Sequence, residues 1–339
     1  MRVSVRQIAR ELGMSPSTVS QALNNKGFLR PETRLKVRQT ARRMGYFLPD
    51  DPFGINPVIS GRPIRVVFAG AGAVPGEDKL GTFAEQVLEG ARQVLAPYHT
   101  SLVWACDRDV GDAPPYLVGN LVIGGTVSDE LAAALEAAEA PSVIVGTHVA
   151  TSRRLGAVEV DAELGVRMAV HHLVSLGHRN IGFLNGPPKT RTSDQKLTGF
   201  VRACYDHRLD VDRVWAVDYP WDVEYSVTAV RTLFDGALRG VTALVCAYEP
   251  LAVAVLRVCR EAGISVPGEL SVVAYQDEGL SEHTRPRLTS VSLPVVQMGR
   301  LAATHLVVAC ENSDLTGARI VLPPSLSVRD STGPCPRIA

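Results

Sequence analysis

No run of apolar residues in this 339-residue sequence approaches the about 18 that a membrane-spanning helix needs, so no membrane partner is expected. The opening residues, MRVSVRQIAR, interleave charged with apolar side chains, so no secretory leader is expected and the cytoplasm is the expected compartment. Cysteine is scarce and scattered: Cys106, Cys204, Cys246, Cys259, Cys310 and Cys335 show no CxxC spacing. That argues against a disulfide framework or zinc knuckle and for buried free thiols. Catalytic patterns are missing as well. There is no HExxH spacing, and adjacent residues on a helix point different ways, so His171, His172 and His178 are expected to be exposed polar residues rather than metal ligands. No Ser-His-Asp set or carboxylate pair stands out, so neither catalysis nor a cofactor is expected.

Net charge is lacking too, with 35 basic against 35 acidic residues, but the balance hides a division. Residues 1–48 hold ten Lys/Arg against only Glu11 and Glu32, leaving 25 basic and 33 acidic residues beyond; the head is +8 and the body −8. A small basic module on an acidic body suggests that the head alone neutralises a polyanion. A hydrophobic content of 46% with 21% charged residues fits a globular chain of two or three domains.

In the head, Ser4 and Gln7 have capping-box spacing, and Val5, Ile8, Ala9 and Leu12 recur along one helical face. Gly13 supplies a left-handed turn, and Ser15-Pro16 starts a second helix with Val19 and Leu23 facing inward. Two short helices about a glycine turn form a helix-turn-helix. A third helix is expected from Pro31 to Met44, with Leu35, Val37 or Arg38, and Ala41 completing the core and Gly45 stopping it.

The run Val5-x-x-Ile8-Ala9-x-x-Leu12-Gly13-Met14-Ser15-x-x-Thr18-Val19-Ser20-x-Ala22-Leu23-Asn24, with Pro31-x-Thr33-Arg34-x-x-Val37 and Gly45-Tyr46, resembles the lactose-repressor (LacI/GalR) family. The resemblance implies that Pro16, Ser17 and Gln21 read bases in the major groove of an operator duplex; Gln suits adenine, where many relatives carry Arg. It also implies that Ser4, Ser15, Thr18, Asn24, Thr33 and Tyr46 hold phosphates, with Arg34 in reach of one.

Residues 49–63 form a linker rich in helix breakers. Ile55 stands where the family wedges a leucine into the minor groove, but Pro52 and Gly54 break a helix and Asp50-Asp51 would face phosphate. An extended linker is expected, with Ile55 or Phe53 the candidate wedge.

From residue 64 to 330, short apolar runs alternate with helical stretches, which means parallel sheets in βαβ units. The family likeness persists through Leu173-Val174-x-Leu176-Gly177-His178-Arg179-x-Ile181-Gly182-Phe183, Gly263-x-x-Val266-Pro267, Pro286-x-Leu288-Thr289-Ser290-Val291 and Leu322-Pro323-x-x-Leu326-x-Val328-Arg329-x-Ser331-Thr332. It implies a homodimer whose body has two periplasmic-binding-protein-like lobes joined by three crossovers, with a small-molecule effector between them. The expected division is lobe one at 64–158 and 291–318, lobe two at 159–290 and 319–330, and a tail at 331–339.

The expected cleft residues are Lys196, Trp221, Tyr248, Gln276 and His148. Lys196 replaces an arginine of the family, losing its bidentate fork. Ala247-Tyr248-Glu249 stands for Ala-Asn-Asp, and Ala274-Tyr275-Gln276-Asp277 for Gly-(Phe/Tyr)-Asp-Asp, thinning the acceptors that grip sugar hydroxyls. An effector other than a neutral monosaccharide is expected, anionic or aromatic; the alternative is a vestigial pocket.

Two other readings compete with a repressor on a palindromic operator. Gly70-Ala71-Gly72-Ala73-Val74-Pro75-Gly76 after an apolar strand has GxGxxxG spacing, but Pro75 and Gly76 delay the helix a dinucleotide site needs. A cytoplasmic small-molecule-binding protein of the same fold would leave the basic head unexplained.

Overall fold

Two local signals build the head. Helix α1 (Val5–Leu12) opens on a complete capping box, Ser4 Oγ accepting from Gln7 N and Gln7 Oε1 from Ser4 N, and closes on Gly13 at φ 63°. Helix α2 (Pro16–Leu23) opens on Ser15, whose Oγ accepts from Thr18 N at 3.0 Å. Ile8, Ala9, Val19, Ala22 and Leu23 pack with Val37 and Ala41 into one apolar core. Residues 33–34, 36–37 and 40–41 are helical; Pro31, Leu35, Arg38 and Gly45 lie outside the described residues.

The computed structural model describes residues 4–24, 29–30, 33–34, 36–37, 40–41, 44, 46, 59–69, 82–107, 110–111, 117–124, 126–138, 140–149, 152–187, 190–216, 223–234, 240–276, 279–311 and 316–336. The candidate wedge residues Phe53 and Ile55, and the whole GxGxxxG stretch, lie outside them.

Among the described residues, two six-stranded sheets form the body. The first uses β1 (Ile64–Phe68), β2 (Leu102–Cys106), β3 (Asn120–Ile123), β4 (Ser142–Val145), β5 (Leu155–Val160) and β11 (Arg319–Leu322), in the order β11-β5-β4-β3-β1-β2, all parallel. Helices α3 (Thr82–Leu95) and α4 (Asp129–Ala137) alternate with its strands. The second uses β6 (Ile181–Asn185), β7 (Val214–Ala216), β8 (Ala243–Cys246), β9 (Ser271–Tyr275), β10 (Thr289–Ser292) and β12 (Ser325–Ser327), in the order β12-β10-β9-β8-β6-β7. Only the β10–β12 pairing is antiparallel among them. Helices α5 (Ala162–Ser175), α6 (Arg191–His207), α7 (Val223–Phe234) and α8 (Glu249–Ala262) belong to this second unit, while α9 (Val295–Glu311) returns to pack on α3 and the first sheet. Strands buried on both faces explain their unbroken apolar runs.

The chain crosses between sheets after β5, after β10 and after β11. The strands that precede these crossings end at 160, 292 and 322, beside expected divisions at about 158, 290 and 318. The largest change concerns β11, which pairs with β5 rather than joining the second lobe; its half-exposed edge pattern carries no sign of which sheet it will choose. Each crossing leaves a strand at its carboxyl end. Because α5 leads into β6 and α9 into β11, each crossing also arrives at the carboxyl end of the other sheet, so those ends face one another.

The linker is shorter than expected. Ile59 is buried in the first sheet's core and Gly61 N donates to Tyr98 O at 3.0 Å, so residues 59–63 belong to the lobe. The tail is likewise part of the second lobe: Ser331 Oγ donates to Val272 O, and Gly333 N donates to Ser271 Oγ at 3.1 Å. Beneath this strap His178 is buried, not exposed. Its Nδ1 lies 3.0 Å from Thr242 Oγ1 and its Nε2 3.1 Å from both Ser271 Oγ and Gly333 O. His172 meets Thr332 Oγ1 at 2.9 Å and is half-buried. All six cysteines are free thiols, and burial pushes Cys204 up to about 11 and Cys259 up to about 12. No helix among the described residues is long and apolar enough to cross a membrane.

Candidate DNA-binding face and effector cleft

Helix α2 has two different sides. Val19, Ala22 and Leu23 are buried, whereas Pro16, Ser17 and Gln21 are exposed, with Ser17 and Gln21 one turn apart. The free amides of its first turn and the positive end of its dipole lie beside Pro16 and Ser17. Ser4, Ser15 and Asn24 are exposed while serving as caps: Asn24 Nδ2 donates to Ser20 O at 2.9 Å, and Thr18 Oγ1 lies 2.8 Å from Ser15 Oγ. Thr33, Arg34 and Tyr46 are half-buried, Tyr46 packing its ring against the head's core.

The expected cleft residues that are described sit at the carboxyl ends of strands, where open parallel sheets place their ligands. His148 follows β4 in the first lobe; Tyr248 follows β8, Gln276 follows β9, and Lys196 lies in the second turn of α6 after β6. Trp221 lies outside the described residues. His148 Nδ1 is 2.8 Å from Glu159 Oε2, and the other oxygen of that buried carboxylate accepts from Arg319 Nε. Two neighbouring segments, β11 and the residues after β4, thus each supply a partner to this buried carboxylate. Gln276 holds φ at +70°, a strained value for a non-glycine residue, with its N–H donated to Val291 O.

Lys196 is the most enclosed of these residues. It shares the inward row of α6 with Ser193, Gly199 and Phe200, and is 0% exposed. Its Nζ donates to Ala247 O at 2.7 Å and stands 3.8 Å from the centroid of the Tyr248 ring and 4.2 Å from that of Tyr275. A buried ammonium needs such compensation, because desolvation without partners is costly. Tyr248 is 4% exposed, with its hydroxyl 3.4 Å from Ser193 Oγ in the first turn of α6. Burial pushes the Tyr248 phenol pKa up, and does the same more strongly to Tyr275. Glu249 is enclosed as well. Its carboxylate is buried and accepts from Ser281 N at 2.7 Å and from Ser281 Oγ.

Residues 4–48 match the description "Bacterial regulatory proteins, lacI family", and residues 170–332 match "Periplasmic binding protein-like domain". Catabolite control protein A of Priestia megaterium is 24% identical over 342 residues, covering 98% of this chain and 100% of that one. A solved complex of the transcriptional regulator CelR with cellobiose shares 26% identity and a TM-score of 0.72, over 97% of this chain and 100% of that chain. The lac repressor dimer bound to operator and an anti-inducer has the same fold, with a TM-score of 0.68 over 98% and 100% of the two chains at 21% identity. The chain joins a lacI-family helix-turn-helix head to a periplasmic-binding-protein-like body.

Within this periplasmic-binding-protein-like body, four contributors were not read from the sequence: Ser193, Tyr275, Glu159 and Arg319. Ser193 had a signal, standing one helical turn before Lys196. Tyr275 was visible only as part of the tetrapeptide holding Gln276. Glu159 and Arg319 are 160 positions apart and meet only through the β5–β11 pairing, which no local pattern announces. Among the described residues no group of three or more His, Cys, Asp or Glu is arranged to hold a metal ion.

Proposed function

We propose that the chain is a sequence-specific transcriptional repressor, not an enzyme, which binds a palindromic operator as a homodimer under the control of a small molecule between its lobes. The observation that carries this reading is the two-sidedness of α2: an apolar face locked into the head, and Pro16, Ser17 and Gln21 presented outward on a module of charge +8. Gln21 and Ser17 supply base-edge hydrogen bonds, and Ser4, Ser15, Thr18, Asn24, Thr33, Arg34 and Tyr46 the phosphate contacts. Homodimerisation is supported by the first sheet's open edge strand β2, whose Val103 and Trp104 are exposed on its opposite faces.

The cellobiose in the CelR complex supports a ligand between the lobes. The residues present here argue against a neutral sugar: Lys196 is enclosed and Glu249 is turned to Ser281, leaving His148 and Gln276 of the described candidates to meet an effector. Two measurements test the reading. Selection from a random duplex pool should return a palindrome; a pool that stays unstructured would remove the operator. Thermal shifts with sugars, nucleobases and organic acids should find a compound that also changes operator affinity, as coupling requires. A compound that shifts melting without changing operator affinity would remove the effector role.

A further inference from the structure

The second-lobe wall of the cleft is already occupied by the chain itself. The carboxyl ends of β6, β8 and β9 and the first turn of α6 converge there, and Tyr248 fills the space between them. Its ring covers the Lys196 ammonium at 3.8 Å, and its hydroxyl reaches Ser193 Oγ at 3.4 Å. Its edge lies against Gly186, where a Cβ would stand 2.0 Å from the ring's Cε2. Only glycine at 186 lets the ring lie there. Asn185, the last residue of β6, keeps its Oδ1 buried without a hydrogen bond among the described residues, while its Nδ2 donates to Ser193 O at 3.1 Å. A cation under a π face, a helix-start hydroxyl beside a phenol and a glycine floor together make a site for a hydroxylated aromatic ring. Here that ring is covalently part of α8's N-cap.

We propose that Tyr248 is a tethered ligand: it occupies the effector position on the second lobe permanently and holds the body in the geometry that supports operator binding. A tethered group has an effective concentration in the millimolar range, so free ligands of ordinary affinity do not compete for Lys196. The effector of the preceding reading is confined to the remainder of the cleft. The inference rests on that reading only in taking operator affinity as its readout.

The test empties the site and refills it from solution. Tyr248→Ala should lower the melting temperature and weaken operator binding at least about fivefold, the low end of ordinary allosteric coupling. Millimolar p-cresol, the side chain as a free molecule, should restore both. Toluene, lacking the hydroxyl, and 4-methylcyclohexanol, lacking the π face, should restore less, and the wild type should respond to none of them. Recovery of melting temperature without recovery of operator affinity would reduce Tyr248 to a core filler and overturn the proposal. Equal recovery with all three compounds, or with none, would overturn it as well. If Tyr248→Ala is recovered only unfolded, refolding yield with p-cresol against toluene becomes the readout, and no difference overturns the proposal. Wild-type operator binding in the same assay separates the two ideas: its absence defeats the regulator reading, whereas its presence with an unresponsive variant defeats only the tethered ligand.

Discussion

Gln21 and Arg34 share one small module, yet their substitutions should behave differently. Gln21 is exposed on the outward side of α2, one turn from Ser17, and offers the amide pair that suits adenine. Gln21→Ala is expected to cost about 1–3 kcal/mol on the preferred duplex and to relax the preference at one position per half-site. Arg34, assigned to phosphate, is expected to weaken every duplex alike on change to alanine and to reduce the salt slope by about one. Anisotropy titrations on single-position duplex variants separate the two, and equal losses for both variants on every duplex would defeat the role given to Gln21. Lys196 reads as a side chain for a ligand, but its helical row also carries Gly199 and Phe200, and that row is buried. Its partners Tyr248 and Tyr275 follow different strands, and only tertiary packing brings both rings to its ammonium.

At the scale of elements, the tail strap over His178 has a measurable consequence. Burial depresses the pKa of His178 and, with added repulsion from neighbouring histidines, that of His172. In the unfolded chain each takes up a proton as pH falls through about 6.5. The folded state resists that uptake, so the unfolded state binds more protons and stability falls as pH drops below about 6.5, while remaining flat above it. The denaturation midpoint should therefore decline between pH 7.5 and 5.5, and His172→Asn with His178→Asn should flatten the decline. An unchanged slope in the double variant would contradict the assignment. Elements announced by local chemistry were legible: capping boxes, glycine stops and apolar strands bounded α1, α2, β1, β6, β8 and β9. Helix α9 was not read. Its run Val295–Glu311 packs on α3 and the first sheet, and its signal was present, since Gln297, Arg300 and Thr304 recur along one exposed face. The place of β11 was illegible, since an edge strand of four residues fits either sheet until the crossover geometry chooses.

The whole molecule joins a basic head to an acidic two-lobed body. Strand β2 is the open edge of the first sheet, with Trp104 stacked on Phe68 at 5.6 Å between centroids yet 38% exposed. Trp104→Glu is expected to shift the sedimenting species from dimer to monomer and to reduce the advantage of a full palindrome over a half-site; a dimer that survives unchanged would place the interface elsewhere. The charge division sets the salt dependence, because the head alone gathers counterion-releasing contacts while the body repels the duplex. The most direct test of the central claim is the ratio of affinities for a selected palindromic duplex and a shuffled duplex of the same composition, at about 0.15 M salt. The account predicts a ratio of at least about a thousand, the lower range for specific over non-specific binding; a ratio near one would contradict it.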